Sequence, residues 1–333
     1  MLTNSEYGQA NIILATCYAL MGGAPDVDIH LASFAPIKAA VTAASEVGMK
    51  AHPNANPIKF HGIHGTNYFT ALLSPDVGGR RLLEITPSFR TMPTVLRIVA
   101  RAAMPYTGPE MALNCNELRR VIEDVEPDLT LVDNMFTSGL TMARHMGFKW
   151  MILSPNTLED LAIPLQPRAS FFWKYPCHAR RARDYVTEKT GAKVFDQQEF
   201  GDPQPDLKML MASSPEFNLP VVLKPNNIMP CGPIMRPVPP VAQADPELHN
   251  WLARGPTVCI NPGTLSWTSE DQAVEMAQAI RSLLAGWRET GEDGRLQVLW
   301  KLEQTTDGHV EYEIHEKGCR LESILEVSLT TTL

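Results

Sequence analysis

The chain is short of several things, and each shortage excludes a class. Its six cysteines (Cys17, Cys115, Cys177, Cys231, Cys259 and Cys319) never form a C-x-x-C pair. That removes the usual spacing of a structural zinc site or a redox dithiol, and no metal is expected. Positive charge is also short: 29 Lys and Arg stand against 37 Asp and Glu, for a net charge of −8. A surface without a basic excess does not suit nucleic acid, whose phosphates demand one. No run approaches the roughly 18 apolar residues of a bilayer-spanning helix. The start, Met1 to Glu6, has neither a basic leader nor an apolar stretch, so the expectation is a soluble, cytoplasmic chain. Internal repeats, a nucleophile elbow and a Gly-rich cofactor loop are missing too, and no cofactor is expected.

What is present is ordinary globular material: 333 residues, 44% hydrophobic and 20% charged, enough for two domains with real cores. The first half alternates helical and strand patterns, which predicts an α/β fold with a parallel sheet. Residues 9–22 read as an apolar helix closed by Gly22 and Gly23. A strand pattern over Val27–Phe34 follows. Further on, a short helix over Glu117–Val125 leads to a buried strand, Asp128–Asp133, that ends on an acid. A helix over Ser138–Met146 is stopped by Gly147, and Lys149–Ser154 is the next strand. Strand, helix, strand in such short order is the unit of a parallel sheet.

Between Arg168 and Gly201 the composition turns aromatic and basic, with Phe171, Phe172, Trp173, Tyr175, Arg180, Arg181 and Arg183. This reads as a long helix burying an aromatic face under a solvated basic one; a role lining an acceptor or touching a membrane surface stays open. Prolines then crowd residues 230–246, predicting an interdomain linker over 231–255 between domains at 1–230 and 256–333. The second domain starts with a strand, Pro256–Asn261, and a turn at Pro262-Gly263-Thr264. A helix capped by Ser269 or Asp271 carries Ala273, Met276, Ala277, Ile280 and Leu284 at helical spacing, and Leu296–Lys301 is a second strand.

Four segments in this order resemble the UDP-glycosyltransferases with two-domain GT-B architecture, fungal members most of all. They are Ser5-Glu6-Tyr7-Gly8-Gln9-Ala10-Asn11, Pro127 to Phe136, Cys231-Gly232-Pro233-Ile234, and Val258 to Ser266 with the following helix and Val298-Leu299-Trp300. The resemblance implies an N-terminal Rossmann-like acceptor domain and a C-terminal Rossmann-like donor domain. It implies transfer of a hexose from a UDP-sugar, a co-substrate and not a cofactor, to a hydroxyl of a small lipophilic acceptor, with inversion. In that family a histidine removes the acceptor proton and an aspartate orients it. The donor pyrophosphate lies against backbone N–H groups at a helix start.

Asp133 matches the family's aspartate, at the C-terminal rim of a parallel sheet where α/β folds place ligands; a capping or salt-bridged acid is the plainer alternative. The expected histidine position holds Gln9, whose amide takes no proton near neutral pH. His61, His64 and Glu6 are the replacement bases the sequence offers, although a loop histidine is commonly structural or solvated. Gly263 and Thr264 match the turn that meets the diphosphate, where glycine permits close approach and the hydroxyl donates. An ordinary strand-to-helix turn favours the same residues. No match to the family's donor box, a stacking tryptophan and a His-x-Gly-Gly-like loop, is found over 302–333. The expectation is therefore a truncated donor domain and, with only Met1 to Thr3 ahead of the first loop, a sheet with a gap at its central strand. An impaired transferase is one outcome; a catalytically dead remnant that binds a small molecule or a protein is the alternative.

Overall fold

A computed structural model describes residues 1–79, 85, 88–102, 104–158, 177–196, 206–214, 216, 226–263, 268, 270–289 and 296–301. Two compact units divide the chain, Met1–Pro237 and Val238–Leu333.

The first unit is a parallel sheet with helices on both faces. Its elements begin with α1 (Tyr7–Gly23), β1 (His30–Phe34), α2 (Lys38–Ala51), β2 (Lys59–Ile63), α3 (Tyr68–Leu72) and α4 (Met92–Ala102). They continue with α5 (Gly108–Val125), β3 (Thr130–Asp133), α6 (Thr137–Met146), β4 (Trp150–Ser154), α7 (Cys177–Thr190), β5 (Met209–Met211) and β6 (Ile228–Pro230). One ladder pairs β2 with β1, another runs β3-β4-β5-β6, and every pairing is parallel.

The expected gap at the central strand is closed. Leu2 makes parallel bridges to Ala32 of β1 and to Val132 of β3, joining the two ladders. Its N–H donates to Leu131 O at 2.8 Å and its carbonyl accepts from Asp133 N at 2.9 Å. Toward β1, Ala32 N donates to Met1 O at 2.9 Å and Thr3 N to Ala32 O at 3.2 Å. Three residues suffice because each backbone edge between β1 and β3 finds its partner, which a buried ladder requires.

Side chains then alternate across the sheet with a period of two. Leu31, Leu131, Leu153 and Leu210 point to one face, where Ile13, Leu14 and Met21 of α1 and Val41 of α2 pack. Ala32, Val132, Ile152 and Met209 point to the other, under Met111, Leu118 and Ile122 of α5, Leu140 of α6 and Val186 of α7. Two tight approaches set the helix positions. A Cβ on Gly139 of α6 would stand 2.7 Å from the Phe136 ring and 3.2 Å from Val132, so the helix after Asp133 sits directly on β3. Gly48 of α2 faces the Met21 thioether in the same way.

Helix α5 is longer than its sequence pattern indicates. It starts at Gly108 behind a capping box in which Thr107 and Glu110 exchange hydrogen bonds, with Pro109 in the first turn. The aromatic–basic segment contributes α7 from Cys177, with Arg183 paired to buried Asp196 at 2.7 Å; its aromatic residues 171–175 lie outside the described residues. In the proline-rich stretch, residues 231–240 are irregular. Two short helices follow, α8 (Val241–Ala244) and α9 (Pro246–Leu252). Proline is tolerated there because Pro246 occupies the first turn and the Asp245 side chain caps Leu248 N at 2.8 Å.

The second unit shows a strand–helix–strand, β7 (Thr257–Ile260), α10 (Glu270–Glu289) and β8 (Gln297–Trp300), with the strands parallel. Ala273, Ala277 and Ile280 of α10 pack on Val298 and Trp300. Asp271 therefore lies inside the helix, and Ser269 falls outside the described residues. Cys17 and Cys115 are buried free thiols, and Cys231 and Cys259 are exposed ones.

One position carries visible backbone strain. Glu126 caps α5 in the left-handed region at φ 46°, a conformation that costs a non-glycine residue about 1 kcal/mol. Glu126→Gly should raise unfolding free energy by about that much in a urea titration.

Candidate functional site

The site forms at the C-terminal rim of the first sheet, where β3 ends and the chain leaves Leu2 for α1. Asp133 is fully buried there, and both of its oxygens are engaged. Oδ2 accepts from Thr3 Oγ1 at 3.1 Å and Asn4 N at 3.2 Å, while Oδ1 accepts from Met135 N at 2.8 Å. Thr3 and Asp133 meet because strand alternation puts them on the same face as Leu131. Asn4 extends the tie: its Nδ2 donates to Met135 O at 3.1 Å, and its Oδ1 accepts from Tyr106 Oη at 3.4 Å.

Burial pushes the Asp133 carboxyl up to about 6 despite these three donors, with the Glu6 charge adding to the shift. Glu6 stands at the N-terminus of α1. Its Oε1 accepts from Phe69 N at 3.0 Å and Ser5 Oγ at 3.4 Å, and burial raises this carboxyl too. Tyr68 and Tyr106 face the two acids and are held neutral, first by burial and then by those charges. The Tyr68 hydroxyl donates to Ala102 O at 2.9 Å.

Helix α1 begins at Tyr7, so Gln9 sits in its first turn and not in a loop. Gln9 Nε2 meets Asn156 Oδ1 at 3.5 Å, and Asn156 N is held by Ser154 Oγ at the end of β4. Three side chains at this rim keep buried polar atoms without a hydrogen-bond partner: Glu6 Oε2, Gln9 Oε1, and both amide atoms of Asn134. Orphaned groups of this kind are rare in folded proteins and mark places where a further polar group is expected.

The two candidate histidines are elsewhere. His61 lies on β2, its Nε2 2.8 Å from His30 Nδ1 with the rings stacked at 5.0 Å. Both histidines line a small cavity with Leu2, Ala32, Ile122 and Thr130, on the face opposite Leu131 and Asp133. Burial lowers the basicity of each. His64 is exposed, and its N–H donates to Glu117 Oε2 at 3.3 Å. Neither is brought to Asp133. Thr3, Asn4, Tyr68 and Tyr106 belong to the site without having been singled out in the sequence, because only tertiary contact joins them to it.

In the second unit, Gly263 follows β7 with φ 97°, a conformation reserved for glycine, and a Cβ there would meet open space. Its N–H donates to Asn261 Oδ1 at 3.1 Å. Thr264 lies outside the described residues. Among the described residues no three His, Cys, Asp or Glu side chains are grouped to hold a metal ion. No helix among them is long and apolar enough to cross a membrane.

The parallel sheet with helices on both faces and the second strand–helix–strand unit make the chain mixed α/β, and the solved structures it superposes on are glycosyltransferases of the GT-B fold. The chain carries that fold and is similar in sequence to a fungal protein, Glycosyltransferase sdnJ of Sordaria araneosa, with 28% identity over 337 residues. The match takes in 91% of this chain and 64% of that protein, so the chain spans less than two thirds of its relative. No protein-family profile matches. Among solved structures, the glycotransferase of kitacinnamycin superposes with a TM-score of 0.56 at 13% identity, covering 95% of this chain and 67% of its own. Glycosyltransferase VinC, in complex with DTDP, gives 0.50 at 12% identity, covering 90% and 66%.

The raised Asp133 carboxyl fixes a pH dependence. Its contribution to stability is fully present below the unfolded value near 4 and is lost as pH rises through about 6. Between pH 4 and 8 the wild-type chain should lose about 3 kcal/mol relative to Asp133→Asn, in urea titrations run at several pH values. A difference that stays flat with pH would mean that Asp133 ionises as it does in the unfolded chain.

Proposed function

We propose that the chain is a glycosyltransferase that moves a hexose from a nucleoside diphosphate sugar, a UDP-sugar in the first instance, to a hydroxyl of a small lipophilic acceptor. The displacement inverts the anomeric carbon. The observation that supports this reading is the placement of Asp133: an acid buried at the strand end, in a chain whose sequence likeness to a glycosyltransferase runs through 91% of its length.

In this reading the first unit, Met1–Pro237, holds the acceptor at the rim. Asp133 fixes the segment from Thr3 to Asn4 and supplies negative charge beside the reacting hydroxyl. The second unit supplies the turn at Gly263, whose positive φ lets backbone N–H groups approach the diphosphate. Thr264 adds a hydroxyl donor to the same phosphates. The domains at 1–230 and 256–333 keep their acceptor and donor roles, joined through the proline-rich stretch. The sugar nucleotide enters as a co-substrate and not as a resident cofactor.

One observation favours the alternative, a module that binds without turnover. Gln9 stands where a basic histidine is expected and is directed at Asn156. A calorimetric titration of the full chain with UDP and with dTDP, followed by product detection with the matching sugar nucleotide, separates the two. Saturable binding by one nucleotide and product formation are expected. Asp133→Ala should then lower kcat by roughly 10² or more with nucleotide binding unchanged. Binding without any product would leave the module reading standing, and no nucleotide binding by a folded chain would remove the donor assignment.

A further inference from the structure

The transferase reading requires a group to take the acceptor's proton, and the inference made here rests on that reading. Most titratable groups at the rim are already occupied. Both Asp133 oxygens are engaged by three donors. Tyr68 and Tyr106 donate their hydroxyls to Ala102 O and Asn4 Oδ1 and are held neutral. His61 is paired with His30 on the opposite face, and His64 is exposed.

Glu6 differs from all of these. Its Oε1 accepts from Phe69 N and Ser5 Oγ. Its Oε2 is buried and has no partner. Gln9, in the first turn of α1 behind Glu6, leaves its own Oε1 in the same condition. Two buried acceptor oxygens near the start of one helix, each without a donor, are costly and suit a ligand that brings hydroxyl groups.

We propose that Glu6 is the general base of this site. Its Oε2 takes the proton of the acceptor hydroxyl as that oxygen forms its bond to the anomeric carbon. In the same step the bond from the anomeric carbon to the diphosphate oxygen breaks, and its electron pair leaves with the nucleoside diphosphate. The proton stays on Glu6 until water removes it. Asp133 is a positioning residue for this step, since its bonds to Thr3 and Asn4 hold the peptide that leads into Glu6. Burial raises the Glu6 carboxyl, which makes it a better proton acceptor than a solvated carboxylate.

The test is acceptor chemistry. Wild-type chain and Glu6→Gln are compared with UDP-glucose or dTDP-glucose, whichever nucleotide the titration selects, and with two acceptors. One is 1-octanol, whose hydroxyl must be deprotonated; the other is pentachlorophenol, already ionised at neutral pH. Glu6→Gln retains an oxygen for Phe69 N, and thermal unfolding checks that it is folded. The expected result is a kcat for octanol lowered by about 10² to 10⁴, with donor KM unchanged and the phenol rate reduced by less than about tenfold. An equal loss with both acceptors would mark Glu6 as structural and overturn the proposal, as would an unchanged octanol rate. Wild-type product with the phenol alone would also overturn it, since no base would then be operating. A wild-type chain that makes product with neither acceptor sinks the transferase reading itself, and the proposal with it. That result is read on the unmodified chain and is distinct from the others.

Discussion

The first unit depends on one small insertion: Leu2 between β1 and β3. Without it, two ladders would each present a buried row of unpaired N–H and C=O groups, and unsatisfied groups of this kind cost about 1–3 kcal/mol apiece. With it, one continuous parallel sheet separates two apolar layers, and Leu31, Leu131 and Leu153 line up on the α1 side. The same insertion builds the site. Thr3 and Asn4 follow Leu2 directly, and their bonds to Asp133 set where the peptide turns toward Glu6 and α1.

The rim is a costly place for charge, and its occupants fit that cost. Two acids, Glu6 and Asp133, sit among two neutral phenols and the amides of Asn4, Gln9 and Asn134 with no lysine or arginine bonded to them in the hydrogen bonds seen. Asp133 is kept there by three donors spread over both oxygens, whereas Glu6 Oε2 has no hydrogen-bond partner. That asymmetry, and not proximity alone, divides their roles: one oxygen set is used up by the fold and the other is left open.

Much of the fold was legible because its signals are local. The buried run ending at Asp133, the stop at Gly147 with φ 71°, and the spacing of Ala273, Ala277 and Ile280 each reflect a few neighbouring residues. Helix α5 was read short because buried Asn114 interrupts the apolar pattern, although Thr107 and Glu110 spell its capping box. The strand of Leu2 was missed because three residues carry no periodicity; only the two flanking ladders define it. The site divides the same way. Asp133 and Gln9 were legible through the resemblance and the strand ending, while Tyr68, Tyr106 and the open Glu6 oxygen depend on contacts more than 60 residues apart in sequence. His61 was offered by residue type alone, and strand parity carries it to the wrong face.

The insertion also imposes an order of events on the growing chain. Leu2 is synthesised well ahead of its partner Val132, which lies about 130 residues later. At synthesis rates of roughly 5–20 residues per second, the innermost strand waits on the order of ten seconds for the far wall of its slot. The segment that completes the sheet is thus made before its slot and seated late, and the rim with Glu6 and Asp133 comes into being only when it docks.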